Sequence, residues 1–361
     1  MRRVLVAALV LLAACSAADK KATVSTPSTP ATTPASDITM VVYDSFPTSD
    51  TTLNAALAEF TESTGIGVQL AVAGDAGTMV TKAKLTAGNP EGDVMWGVDN
   101  TLLSEAVDGK VFEPYRSAEL AAIDPKLTAL VPGGEATPVD FGDVCVNFDA
   151  GWFADKGIAV PASLDDLTKP EYKDLLVVQN PGTSSPGLAF LLATIAHSGP
   201  DGWQDYWKAL RANGVKVEDS WTTAYYDDFS GASGSTGDRP LVVSYGSSPP
   251  AEVLGAAEPP ATAPTGAIAS TCFRQVEFAG VLRGTKHPEA ARQLVDFLVS
   301  ERFQQELPLN LYVYPARTDV ALPDVFTKYA VVPTDPLTID PAQIEANRTT
   351  WQDQWTQVVL R

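Results

Sequence analysis

Apolar runs with strand-like spacing alternate with runs that have helical spacing, and this alternation limits the fold more than any other feature of the sequence. The first set comprises a strand at 39–46, a helix at 53–64, a strand at 67–73, helices at 78–88 and 102–109, and a strand at 93–99 between them. Strands that alternate with helices predict a mostly parallel sheet covered by helices. The predicted fold class is therefore α/β.

The pattern changes near residue 140, where segment 141–149 predicts a strand with no helix directly after it. The second set then comprises strands at 175–179, 215–221 and 240–249, helices at 188–197 and 202–214, a Pro/Ala-rich stretch at 263–270, a strand at 273–284, and helical segments at 287–307 and 340–360. About 320 residues follow the N-terminal segment, a length typical of two lobes or domains.

The N-terminal segment has the parts of an export signal. Arg2 and Arg3 precede an apolar run at 4–12 that is too short to anchor the chain in a bilayer. The run ends in Leu-Ala-Ala-Cys15, which resembles a bacterial lipoprotein signal. That resemblance implies removal of residues 1–14, acylation of Cys15, and location at the outer face of the cytoplasmic membrane. The alternative is an ordinary secretory signal that contains a cysteine.

The next segment, 15–38, is rich in Ser, Thr, Ala and Pro and predicts an extended tether. The chain as a whole has a formal net charge of −19, so it would repel nucleic acid and anionic lipid surfaces. The same charge is compatible with a small cationic ligand. We therefore expect a small-molecule partner and no nucleic acid.

Two cysteines remain after Cys15. In an exported protein a leftover pair usually forms a disulfide, which favours a Cys145–Cys272 bond over two buried free thiols. These cysteines and the two histidines, His197 and His287, lack the spacing of a structural zinc site, so no metal is expected there.

Polar and aromatic residues recur directly after the predicted strands. In α/β proteins ligands bind at the carboxyl ends of strands, so these residues predict a cleft between two lobes. They are Asp44 and Ser45, Asp75, Asp99 and Asn100, Ser184 and Ser185, Trp221, and Tyr245 to Ser248. The two serines, at the start of a helix, predict an N-cap or an anion site.

Several of these stretches carry a family resemblance that runs nearly from end to end after residue 39. The matching motifs are VYDSF (42–46), GVDNTLL (97–103), QNPGTSSPGL (179–188), SWTTAY (220–225), SYGSSP (244–249), RQVEFA (274–279) and LYVYP (311–315). The chain resembles the thiamine-binding subfamily of the solute-binding proteins of ABC importers. The resemblance implies a two-lobed periplasmic-binding-protein (Venus-flytrap) fold with crossing hinge strands and a cleft that closes.

The expected first lobe is 39–140 plus about 275–320, and the expected second lobe is 141–274 plus about 321–361. The ligand contacts that the resemblance implies are Tyr43, Asp75, Ala76, Ser184, Ser185, Trp221, Tyr225, Tyr245, Gly246, Ser247, Ser248 and Tyr312. The aromatic residues would face the flat rings and the cation, Asp75 would accept from the aminopyrimidine, and the two serines would hold the hydroxyl or phosphate end.

The resemblance further implies thiamine, its monophosphate or its diphosphate as ligand, no catalytic cofactor, and a permease and an ATPase as partners. We expect a monomer that is not an enzyme, because GTSSPG (182–187) is not a GxSxG nucleophile elbow.

The chain departs from the family pattern near Asp50, at Ala76 and at Ala251. Tyr225 and Tyr226, followed by Asp227 and Asp228, leave ferric ion as an alternative ligand. Trp203, Trp207, Trp351 and Trp355 are predicted to pack the core.

Overall fold

A computed structural model describes residues 37–255 and 260–361. The predicted signal peptide 1–14, Cys15 and nearly all of the predicted tether lie outside these residues. The first strand begins at Ile38, one residue inside the predicted tether, and Ile38 is buried there. In the two described ranges, no helix has both the length and the apolar character needed to cross a membrane.

The elements follow the alternating pattern of the sequence. The strands are β1 (Ile38–Val42), β2 (Val68–Val72), β3 (Val94–Asp99), β4 (Phe112–Glu113), β5 (Thr137–Asp149), β6 (Leu176–Gln179), β7 (Lys216–Glu218), β8 (Leu241–Tyr245), β9 (Thr265–Leu282) and β10 (Tyr314–Pro315). The helices are α1 (Thr52–Thr64), α2 (Ala76–Leu85), α3 (Leu103–Asp108), α4 (Pro125–Thr128), α5 (Ala150–Lys156), α6 (Ser185–Ala212), α7 (Pro249–Gly255), α8 (Pro288–Leu298), α9 (Glu301–Gln304), α10 (Leu307–Asn310), α11 (Asp324–Tyr329) and α12 (Pro341–Val359).

The strands form one path in the order β2-β1-β3-β9-β5-β8-β6-β7. At one end β1 pairs in parallel with β2 and β3, and at the other β6 pairs in parallel with β7 and β8. Between these two parallel sets run β5 and β9, which are long and antiparallel to each other and to their neighbours. The predicted α/β class and the crossing strands are confirmed, while the predicted lobe boundaries stay a prediction.

Two predictions about the segments around the crossing strands were wrong. The predicted strand 141–149 is followed at once by α5, because the Asp149 carboxylate accepts from the N–H of Trp152 at 3.0 Å and Gly157 ends the helix in the left-handed conformation. The strand predicted at 273–284 begins earlier, because β9 starts at Thr265 inside the Pro/Ala-rich stretch and pairs with the end of β5 as far as Asp149.

The predicted disulfide is confirmed, and it joins the two crossing strands. Cys145 in β5 and Cys272 in β9 are both fully buried. The bond lies where the β5–β9 register shifts, between Val144 and Val146. It therefore ties together two strands at a point where the regular pairing is interrupted.

The predicted helices at 188–197 and 202–214 form one long element, α6, which bends at Gly199 and Pro200. Trp207 of α6 packs edge-on against Trp355 of α12, with ring centroids 5.4 Å apart. Trp203, Trp207 and Trp355 are almost fully buried and Trp351 is half-buried against the same core. The predicted packing role of these four residues is thereby confirmed.

Candidate ligand-binding cleft

The carboxyl ends of the parallel strands on either side of the crossing strands face one cleft. Its empty space is about 850 Å³, including the part open to solvent. The residues that line it are Tyr43, Asp44, Ser45, Asp75, Ala76, Ser185, Pro186, Trp221, Tyr225, Tyr226, Tyr245, Ser248, Ala251, Glu277, Asn310, Leu311, Tyr312 and Val313. The lining combines aromatic rings with a few polar side chains, as ligand-binding clefts do.

An aromatic wall stands on the side of the cleft that follows β7. The Trp221 ring stacks on the Tyr225 ring with centroids 4.8 Å apart and planes 19° apart. Trp221 Nε1 donates to Ser244 Oγ at 3.0 Å, and Ser244 Oγ also contacts Ser248 Oγ at 2.8 Å. The ring of Trp221 is thus fixed in orientation before any ligand arrives.

Asp75 begins α2 and bonds to the aromatic wall on the opposite side of the cleft. One carboxylate oxygen accepts from the N–H of Ala76 at 2.6 Å, and the other accepts from the N–H of Trp221 at 3.0 Å. Burial raises the pKa of Asp75 to about 6, although the bond from Trp221 offsets part of that shift. The N–H of Thr78 donates to the carbonyl of Thr183 at 3.3 Å nearby. These bonds join the loop after β2 to the loops after β6 and β7.

The floor of the cleft is acidic. Glu277 of β9 accepts from Trp96 Nε1 at 3.2 Å, and burial, with the neighbouring Asp99, raises the pKa of Glu277 to about 8. Gln275 donates from Nε2 to Asp99 and to Ser185 Oγ, the latter at 2.9 Å. The described residues that line the cleft include no lysine or arginine. The floor therefore favours a ligand that carries positive charge or hydrogen-bond donors.

Most of the predicted contact residues line the cleft, while Ser184, Gly246 and Ser247 do not. Gly246 donates its N–H to the carbonyl of Asp143 at 2.8 Å and accepts from the N–H of Val331 at 2.7 Å. A Cβ at Gly246 would lie 2.4 Å from the Val331 carbonyl oxygen, so the position requires glycine for packing. The backbone groups of Gly246 are engaged within the protein.

The two remaining serines are buried behind the wall of the cleft. Ser184 occupies the predicted cap position of α6, but its side chain makes no capping hydrogen bond, and its Oγ has no partner among the described residues. The Oγ of Ser247 is also buried without a partner among them. The predicted side-chain cap by Ser184 is therefore wrong, and Ser185 is the serine of this pair that faces the cleft.

Sequence reasoning did not name several residues that line the cleft. Glu277 lies inside the RQVEFA motif that carried the family resemblance, so the signal was present for it. Asn310, Leu311 and Val313 flank the predicted Tyr312, whose backbone has a φ of 55°. A positive φ is uncommon for a tyrosine, and such backbone strain concentrates at functional sites.

Of the two tyrosines behind the ferric alternative, Tyr225 is buried and has its hydroxyl bonded within the protein, whereas Tyr226 is exposed. Tyr225 donates its hydroxyl to Glu252 Oε1 at 2.8 Å, and Asp228 pairs with Lys216 at 2.5 Å. The rings of Tyr225 and Tyr226 meet edge to face at 5.3 Å. In this arrangement Tyr225 contributes a ring face to the cleft, and its oxygen is already bonded.

Two parallel sets of strands linked by two long crossing strands, with a ligand-sized cleft at the strand ends, define a two-lobed solute-binding protein. The comparison with protein families gives the particular family. The chain belongs to the bacterial extracellular solute-binding proteins, whose family model matches residues 92–333. It is thus an extracytoplasmic binding subunit for an ABC importer and not an enzyme.

Individual relatives agree with this assignment. The chain is 31% identical to a thiamine-binding periplasmic protein of Salmonella typhimurium over 90% of this chain and 94% of the relative. A solved periplasmic thiamin binding protein superposes with a TM-score of 0.76 at 27% identity, covering 90% of this chain and 96% of that one. An iron-bound protein from Pseudomonas aeruginosa shares the fold, with a TM-score of 0.68 at 20% identity over 89% and 99% of the two chains.

Proposed function

We propose that this protein captures thiamine, or a phosphate ester of thiamine, in the cleft and delivers it to the permease and ATPase of an ABC importer. The observation that carries the proposal is the combination of aromatic walls with an acidic floor, without a basic residue among those that line the cleft. Thiamine joins a flat aminopyrimidine to a flat, cationic thiazolium. A flat cation gains from aromatic faces and from buried carboxylates together.

Each part of the proposed ligand has chemically suitable partners in the cleft. Trp221 and the opposing Tyr43, Tyr245 and Tyr312 supply ring faces. Asp75 supplies a carboxylate oxygen as an acceptor for the amino group of the pyrimidine.

The hydroxyl or phosphate end of the ligand is proposed to lie toward Ser185 and Ser248. Ser185 is the first residue of α6, and the N-terminus of a long helix favours negative charge. A site dedicated to a diphosphate would be expected to contain basic residues, and the described residues that line the cleft include no lysine or arginine. We therefore expect the monophosphate to bind more tightly than the diphosphate.

We further propose that Cys15 carries the lipid anchor after removal of residues 1–14, with the segment to about residue 37 as a tether. The binding body would then act as a monomer at the outer face of the cytoplasmic membrane. Metabolic labelling with a radioactive fatty acid tests the anchor. Label in the native chain and none in Cys15→Ser is the expected result, and equal labelling of both would contradict it.

Calorimetric titration tests the ligand. The protein is unfolded and refolded with its disulfide intact to remove carried ligand, then titrated with thiamine, its monophosphate and its diphosphate. We expect dissociation constants of micromolar or below for thiamine. Titration with chelated ferric ion is the matched test of the alternative, since phenolate coordination gives a visible absorption band. Coloured ferric protein with no heat from thiamine would refute the proposal.

A further inference from the structure

Two buried carboxyl groups lie directly opposite each other on the crossing strands. Asp140 of β5 and Glu277 of β9 are register partners, and they are 1% and 7% exposed. Neither oxygen of Asp140 meets an N–H or O–H donor among the described residues. A buried carboxylate without a donor is costly, so Asp140 is stable there as a carboxylic acid that donates to Glu277.

The groups around this pair are acidic or neutral. Asp99 and Asp75 approach Glu277 from the ends of β3 and β2, and both carry raised pKa values because of burial. Tyr43 and Tyr245 approach from β1 and β8, and burial, then the charge of Glu277, raises their pKa values too, so both stay neutral. Arg274, the nearest arginine along β9, is paired with Asp143, to which it donates from Nε and from Nη2.

Glu277 is also the member of the pair that reaches the cleft. Two neighbouring buried anions repel each other, and either a proton or a cation relieves that repulsion. Asp140 keeps its proton, since it has no donor of its own, whereas Glu277 can exchange its proton for a cationic ring that approaches from the cleft. The two occupants therefore compete for the same negative charge.

We propose that Glu277 holds a proton in the ligand-free protein and releases it to solvent when a cationic ligand binds, while Asp140 stays protonated and donates to the Glu277 carboxylate, which makes Glu277 the residue that selects a cation. This inference rests on the proposed function, because the thiazolium is the cation in question. One positive charge enters the cleft and one proton leaves it, so the charge of the buried site stays the same. The raised pKa of both carboxyl groups agrees with this exchange.

The exchange predicts that affinity for the cation rises with pH. Release of one proton on binding makes the dissociation constant about tenfold smaller for each pH unit below the pKa of the pair. Asp75 has a pKa of about 6, so it is already ionised at pH 7.5 and contributes little there. Measurements between pH 7 and 8 therefore report mainly on the pair.

The test is calorimetric titration with thiamine at pH 7.5 in two buffers of different ionisation enthalpy, which gives the number of protons released. The wild type should release about one proton per thiamine bound. Glu277→Gln keeps an acceptor for Trp96, and should bind thiamine at least tenfold more weakly with no release. Asp140→Asn keeps a donor toward Glu277 and leaves the burial that raises the pKa of Glu277, so this variant should still release a proton when thiamine binds.

Two controls make every result decisive. Glu289→Gln, at an exposed position on α8, should behave as the wild type does. The second control is a neutral analogue of thiamine with a thiophene in place of the thiazolium, which should release no proton when it binds. The wild type should bind this analogue more weakly than thiamine, whereas Glu277→Gln should bind the two with similar affinity. Tight thiamine binding by the wild type without proton release, or equal release by Glu277→Gln, would overturn the inference.

Failure of the proposed function gives a different pattern. If thiamine does not bind, the ligand-free protein still reports on the pair through thermal unfolding between pH 6 and 8. A proton held by Glu277 makes the wild-type melting temperature fall over that range, and Glu277→Gln should flatten the fall. The same slope in both proteins would refute the proton on Glu277 itself, whatever the ligand.

Discussion

Removal of the Trp221 ring is the most direct test of the aromatic wall. Trp221→Ala leaves the backbone N–H that donates to Asp75, so the bond between the two sides of the cleft survives. The change removes the ring that stacks on Tyr225 at 4.8 Å and the indole N–H that donates to Ser244. Ser244 keeps Ser248 as a hydrogen-bond partner, so no buried hydroxyl is left alone. The loss therefore reports on the ring face offered to the ligand.

The expected magnitude follows from ring stacking. An aromatic pair contributes about 0.5–1.5 kcal/mol beyond the area it buries, and partial burial of a ring adds a similar amount. A total of about 1–3 kcal/mol corresponds to about 5- to 150-fold weaker thiamine binding. Trp221→Phe should recover part of this loss because it restores a flat face without the indole N–H.

Calorimetric titration of both variants measures the effect, with Trp152→Ala as the matched control. Trp152 is a half-buried tryptophan on α5 that packs against Phe153 and does not line the cleft. Its replacement should change thermal stability and leave thiamine affinity unchanged. An affinity of Trp221→Ala within twofold of the wild type would refute Trp221 as a ligand contact.

Three further predictions concern closure, the crossing strands and pH. In Gly77→Val a Cβ would lie 2.7 Å from the carbonyl oxygen of Thr183, on the other side of the cleft. The variant should therefore bind thiamine more weakly and have a larger radius of gyration in X-ray scattering. Unchanged values of both would contradict the close approach of the two sides. Replacing both Cys145 and Cys272 with alanine should lower the free energy of unfolding by about 4–5 kcal/mol in urea titration while thiamine affinity is kept, and no loss would contradict it. The pKa of Glu277, raised from 4.5 to about 8, means that the folded state holds a proton that the unfolded state has lost. The ligand-free melting temperature should therefore fall from pH 5 to pH 8, and a rise would contradict this.

The order of elements and the position of the cleft were predictable because both depend on local patterns. Parallel strands place their carboxyl ends at one edge, so residues such as Asp75 and Trp221 could be assigned to a common site from their positions after strands. Glu277 lies inside β9, where the same reasoning predicts only packing. Its access to the cleft depends on how β9 crosses between the two parallel sets.

The residues behind the wall show a different limit. Gly246 lies in a motif beside residues that line the cleft, but it does not line the cleft itself. A glycine is required there because a side chain would collide with the carbonyl oxygen of Val331, which is distant in the sequence. The start of β9 was missed for a similar reason. Gly266, Ala267 and Ala269 are poor strand formers, and they become part of a strand because the end of β5 offers unpaired backbone groups. Tertiary pairing, which one sequence does not reveal, decided both cases.

The distribution of bonds around the cleft indicates what drives closure. The crossing strands are held by a disulfide, by a long register of backbone pairs and by the Asp143–Arg274 ion pair. Across the cleft, by contrast, the described contacts include single hydrogen bonds, such as Trp221 to Asp75 and Thr78 to Thr183. Each such bond contributes about 0.5–1.5 kcal/mol net, which is too little to hold the two sides together against opening. A ligand that contacts both sides must therefore supply most of the free energy of closure, and a permease that recognises the closed form would then respond to the loaded protein.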